Sequence, residues 1–166
     1  MTGTFLTRLR NFVLTALAQV LIFSRIHLFG YATAYIYIIF ILKLPRHASR
    51  NEIMLWAFAM GLLVDIFGST PGIHSAAATL LAFLRPYILE SFLQKGTPDD
   101  FTPSAAAIGW SKYLVYSSVS LLILCTTILL IELFTVNHPL ILLVGVGSST
   151  LLSMLFIVAT EFFNRK

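Results

Sequence analysis

Charge is what this sequence has least of. Only 11% of its 166 residues are charged, where a soluble domain carries about 25%. At the same time 58% of the residues are hydrophobic. A chain of this length forms one domain, and its core cannot hide that much apolar surface, so the excess has to face lipid. Cysteine is nearly absent as well. Cys125 stands alone inside an apolar run, which excludes an internal disulfide and a cysteine-based metal site and leaves it as a small hydrophobe. His27, His47, His74 and His138 fall in four separate segments, so no helix carries a histidine pair at metal-ligand spacing. Paired carboxylates on one helix face and a glycine-rich phosphate loop are missing too. The sequence therefore predicts no cofactor, no metal and no catalytic centre. The net charge of +4 does not indicate nucleic acid either, because the basic residues sit in short gaps between apolar runs.

Those gaps divide the chain. Uncharged runs cover Asn11–Ser24, Ile26–Leu42, Ile53–Val64, Ile66–Leu84, Tyr113–Ile131 and Leu133–Thr160. Several are shorter than the roughly 20 residues that cross a bilayer, so their flanking Lys and Arg must reach to the headgroups. The expected fold is all-α: a polytopic membrane protein built as a six-helix transmembrane bundle in a single domain. Its helices are expected at about 9–25, 28–43, 51–68, 72–90, 112–134 and 138–162. Arg8 and Arg10 before an apolar run also fit the start of a signal peptide, but no convincing Ala-x-Ala site follows. The segment before residue 43 is expected to be a hairpin, with a re-entrant hairpin as the alternative, since both halves are short. Pro45, the Gly68–Gly72 turn that contains Pro71, and Asn137-His138-Pro139 punctuate the helices. Asp99, Asp100, Phe101, Pro103 and Trp110 mark a loop leading into a short interfacial segment.

Basic residues also set an orientation. Arg8, Arg10, Lys43, Arg46, Arg50, Lys95, Lys112, Arg165 and Lys166 can all lie on one side if six helices cross, leaving only Arg25 opposite. By the positive-inside rule that side is the cytoplasm, and both termini belong there.

Few polar residues interrupt the helices. Ala57, Gly61 and Asp65 recur at every fourth position and share one face, where small residues admit another helix closely. Asp65 therefore points into the bundle or toward a partner, or its carboxylate caps the Gly68–Gly72 turn. Ala78, Ala82 and Arg85 share a face of the next helix, with Pro86 following. Arg85 lies roughly 20 Å along that helix from its start, too far from Asp65 to pair, and Glu52, Glu90 and Glu161 are the expected partners. A snorkelling arginine is the alternative. Gly145, Ser149 and Ser153 give the last helix its own small-residue face. Such faces also leave room for a homodimer. Glu132 and His138 bracket an outer loop and read as solvated.

Several of these stretches resemble the rod shape-determining membrane protein family MreD. The residues that carry the likeness are Ile26-His27-Leu28-Phe29-Gly30-Tyr31-Ala32, Leu44-Pro45 followed by Arg50-Asn51, Gly61-Leu62-Leu63-Val64-Asp65-Ile66-Phe67, Thr70-Pro71-Gly72-Ile73-His74 and Leu84-Arg85-Pro86-Tyr87. The resemblance implies a non-catalytic inner-membrane component of the bacterial cell-elongation machinery. Such a protein would bind MreC and help couple MreB filaments to peptidoglycan synthesis beside RodA and a class B transpeptidase. It also implies a fold like the substrate-binding subunits of energy-coupling-factor transporters, which makes a small-molecule-binding transporter subunit the competing expectation.

Overall fold

The computed structural model describes residues 2–21, 27–28, 32–93, 97–98, 101–133 and 139–163. Arg25, Gly30, Lys95, Asp99, Asp100, Asn137, His138, Arg165 and Lys166 lie outside the described residues. The elements are α1 (Thr2–Leu21), β1 (His27–Leu28), β2 (Ala32–Thr33), α2 (Ile38–Leu42), α3 (Arg50–Gly68), α4 (Ile73–Glu90), α5 (Ala105–Ile108), α6 (Trp110–Leu133) and α7 (Pro139–Phe163). Among the described residues the regular elements are helices apart from one short antiparallel pair that sets His27 opposite Thr33 and Leu28 opposite Ala32.

Among the described residues, three segments are long and apolar enough to cross a membrane: Arg50–Gly68, Trp110–Glu132 and Val144–Phe163. Helices α1 and α4 are comparably long, but polar residues lower their hydropathy: Arg8, Arg10 and Gln19 in α1, and His74, Arg85 and Glu90 in α4. The large side chains turned outward are those a lipid-facing surface carries, among them Leu55, Ile66, Phe67, Leu151 and Leu155.

Two expectations are corrected here. The first helix begins at Thr2, well before residue 9, and runs unbroken through Arg8 and Arg10. The expected helix over 28–43 does not exist as such. After β2 the chain is non-helical through residue 37, and of the described residues in this span only the five of α2 are helical. Backbone at that depth has no water to bond, so non-helical chain is tolerated only where protein groups satisfy it. Gln19 does this from α1. Its amide nitrogen donates to the Ala34 carbonyl at 2.9 Å, and its oxygen accepts from the amides of Ile36 at 2.8 Å and Tyr37 at 3.2 Å. Ser149 and Ser153 of α7 accept from the amides of Thr33 at 3.0 Å and Tyr35 at 2.8 Å. Side chains from both flanking helices thus take the place of the helical ladder.

The other boundaries follow local chemistry. Ser49 caps α3, its hydroxyl accepting from the Glu52 amide, which is the Ser-x-x-Glu start signal. Ser69 at φ 55° ends α3, and Gly72 at φ 84° precedes α4. Ser104 caps α5, and Gly109 at φ 92° separates it from α6. The core lies where α3, α4 and α6 meet under the α2 segment, around Tyr37, Ile41, Ala57, Met60, Leu81, Tyr116 and Leu121.

Candidate functional site

Buried polar residues gather at each end of α4. At its N-terminus sits Asp65, only 4% exposed. Its Oδ1 accepts from the His74 amide at 2.9 Å and from the Thr70 hydroxyl at 3.0 Å, while Oδ2 accepts from the Ser75 amide at 2.9 Å. The first amides of a helix have no intrahelical acceptor and carry the positive end of the helix dipole, so a carboxylate there is doubly favoured. Asp65 is thus a cap supplied by one helix to the next. Above it, the Tyr37 hydroxyl meets His74 Nδ1 at 3.4 Å, and the Tyr35 ring leans on the same imidazole.

Gly61 makes that cap reachable. A Cβ at this position would lie 2.5 Å from Ser75 Cα and 2.6 Å from the His74 carbonyl oxygen. Only glycine lets α3 come so near the first turn of α4. Ala57, Gly61 and Asp65 therefore form one face, as their spacing predicts, and that face packs on α4 of the same chain. Pro71 and Gly72 shape the exposed turn between the two helices.

The second centre is at the other end of α4. Ala78, Ala82 and Arg85 are all buried, Arg85 at 1% exposure. None of Glu52, Glu90 and Glu161 pairs with it, a correction to the sequence expectation. Glu52 is taken by Arg8, and Glu161 by Lys43. Arg85 instead donates Nη2 to the carbonyls of Leu42, at 3.0 Å, and Leu44. These carbonyls stand at the C-terminal end of α2, where a helix presents acceptors and partial negative charge. The Tyr116 hydroxyl adds a 3.5 Å contact to the Leu42 carbonyl. Arg85 Nε is buried without a hydrogen-bond partner among the described residues. Pro86 lies within α4 directly after it.

A third cluster closes the same end of the bundle. Glu161, near the end of α7, accepts from the Ala105 amide at 3.0 Å and the Tyr113 hydroxyl at 3.3 Å besides binding Lys43. Arg46 ties in the 97–101 loop by donating to the carbonyls of Thr97 and Phe101. Glu161 was expected to face Arg85 and instead holds Lys43, Tyr113 and the Ala105 amide, while Gln19 was missed altogether. Their signal was only that each is a polar residue embedded in an apolar helix.

The small-residue face of α7 has a different neighbour from the one its pattern suggests. Ser149 and Ser153 accept from extended backbone rather than opening the way to another helix. Gly145 is half-buried one turn before them. Cys125 is buried in α6. Among the described residues, no three His, Cys, Asp or Glu side chains gather in a way that could hold a metal. Among the described residues, Asp65 and Glu161 are held by backbone amides, hydroxyls and Lys43, and Arg85 by two carbonyls through Nη2. Comparison with protein-family models, with curated proteins and with solved structures finds no match for this chain.

Proposed function

We propose that this protein is a non-catalytic membrane scaffold of the bacterial cell-elongation machinery, similar to MreD, that binds MreC in the cytoplasmic membrane. The observation that carries the non-catalytic half is the fate of its buried charges. Asp65 accepts from the first amides of α4, Arg85 donates to the carbonyls at the end of α2, and Glu161 is held by Lys43 and the Ala105 amide of α5, so each is used to join elements of the bundle.

The elongation role rests on the sequence resemblance, and the contacts give that resemblance a physical sense. Gly61 and Asp65 belong to one resembling stretch and His74 to another, and they meet at the first turn of α4. Leu44 and Arg85 belong to two more and meet at the end of α2. Four of the five stretches that carry the likeness thus hold residues that join α2, α3 and α4. In this reading MreC is the direct partner, MreB, RodA and a class B transpeptidase belong to the wider complex, and both termini are cytoplasmic.

Co-purification tests it. The full chain, co-expressed with MreC and extracted in mild detergent, should bring MreC down without any added ligand. If no MreC is recovered while the chain is folded and monodisperse, the scaffold reading fails. Saturable stabilisation by a small polar solute would favour the transporter-subunit reading instead.

A further inference from the structure

Between α1, the α2 segment and the end of α7 lies a cavity of about 650 Å³. Its composition is divided. Arg8, Arg10 and Lys43 stand together at one part of the lining, and Leu14, Ile36 and Ile39 supply apolar wall elsewhere. The basic residues belong to the end of the bundle where α1 begins and α7 finishes, as the Arg8–Glu52 and Lys43–Glu161 pairs require. Those two pairs neutralise two of the three cations. Arg10 has no anionic partner among the described residues. The site therefore holds an uncompensated positive charge at the level of the lipid headgroups, above a wall that suits a hydrocarbon chain.

We propose that this groove binds one anionic phospholipid of the surrounding bilayer. Its phosphate is held at Arg10, with Arg8 and Lys43 beside it, and one acyl chain lies along Leu14, Ile36 and Ile39. Basic pockets between membrane helices recognise anionic headgroups in this way, because the charge is attracted where the local dielectric is low and the chain gains apolar contact. The cavity volume lies within the range of small-ligand sites. A lipid seated here would brace α1 against Ile36 and the α2 segment.

The test uses the purified, delipidated full chain in neutral detergent and measures retained lipid by native mass spectrometry. Three probes are compared: dioleoyl phosphatidylglycerol, dioleoyl phosphatidylcholine and glycerol phosphate. One phosphatidylglycerol per chain should be retained several-fold more tightly than phosphatidylcholine, and glycerol phosphate should not displace it. Arg10→Gln removes a charge that has no anionic partner among the described residues, and should weaken phosphatidylglycerol about fivefold with no change in thermal midpoint. Ala18→Phe, which fills the groove from α1, should weaken it while leaving the headgroup cations in place. Equal retention of the two lipids would overturn the proposal, as would full displacement by glycerol phosphate, which would make the site a phosphate site and not a lipid site. Unchanged binding in both variants would place the lipid elsewhere and overturn it too.

Discussion

Replacing Asp65 separates the cap from every other role this carboxylate could have. In Asp65→Ala the amides of His74 and Ser75 lose their acceptors, along with the Thr70 hydroxyl. Each buried donor left unmade costs about 1–3 kcal/mol, so the two amides together cost about 2–6 kcal/mol. The unfolded chain in detergent keeps helices and finds other partners, which reduces such terms. We therefore expect the lower part of that range, about 2–4 kcal/mol, or a drop of roughly 4–16 °C in melting midpoint. Asp65→Asn is the sharper experiment. The carboxylate accepts a backbone amide on each of its two oxygens. An asparagine offers one acceptor and turns an NH2 donor toward the other amide, so it should lose about 1–3 kcal/mol. The expected order is wild type, then Asn, then Ala, read by fluorescence-detected size exclusion after heating and by urea titration in detergent. If Asn matches wild type within about 0.5 kcal/mol, the carboxylate does not hold both amides, and the account of the α3–α4 junction is wrong.

Gly61→Ala should already reduce folded yield sharply, because its Cβ would meet Ser75 backbone at 2.5 Å, whereas Leu62→Ala, at a side chain 41% exposed, should be nearly neutral; comparable yields for the two would refute the close approach. Arg85→Ala should cost about 2–3 kcal/mol, since hydrogen bonds to a charged donor are the strong ones, and should make the 43–50 loop more sensitive to protease; Arg85→Lys should recover part of the loss, and unchanged proteolysis in the alanine variant would count against the Leu42–Leu44 anchor. Ser149→Ala and Ser153→Ala should each cost about 1 kcal/mol and leave the fold intact, with faster amide exchange at Thr33 and Tyr35 as the readout; unaltered exchange would remove these serines from the account. Reporter fusions at residues 46 and 166 should both report the cytoplasm, and a periplasmic signal at either would defeat the proposed orientation.

What the sequence determined by itself is the set of features that depend on near neighbours and on solvent. Low charge and long apolar runs decide that helices face lipid, because that follows from transfer free energy alone. The bounds of α3, α4, α6 and α7 fall within two residues of expectation, since a Ser-x-x-Glu start, a Gly72 turn and a Pro139 first turn act locally. The faces carrying Ala57, Gly61 and Asp65, and Ala78, Ala82 and Arg85, were equally legible, because helical periodicity fixes them. Tertiary structure decided the rest. Residues 28–43 are apolar enough to pass for a helix, and Gln19 from one side and Ser149 and Ser153 from the other stabilise the non-helical path over residues 33–37. Those contacts span 15 to 118 positions, and no local pattern encodes them. For the same reason Arg85 looked like one half of an ion pair. Its partners are carbonyls, which every residue possesses, so the sequence cannot single out Leu42 and Leu44 until the chain has folded α2 against α4.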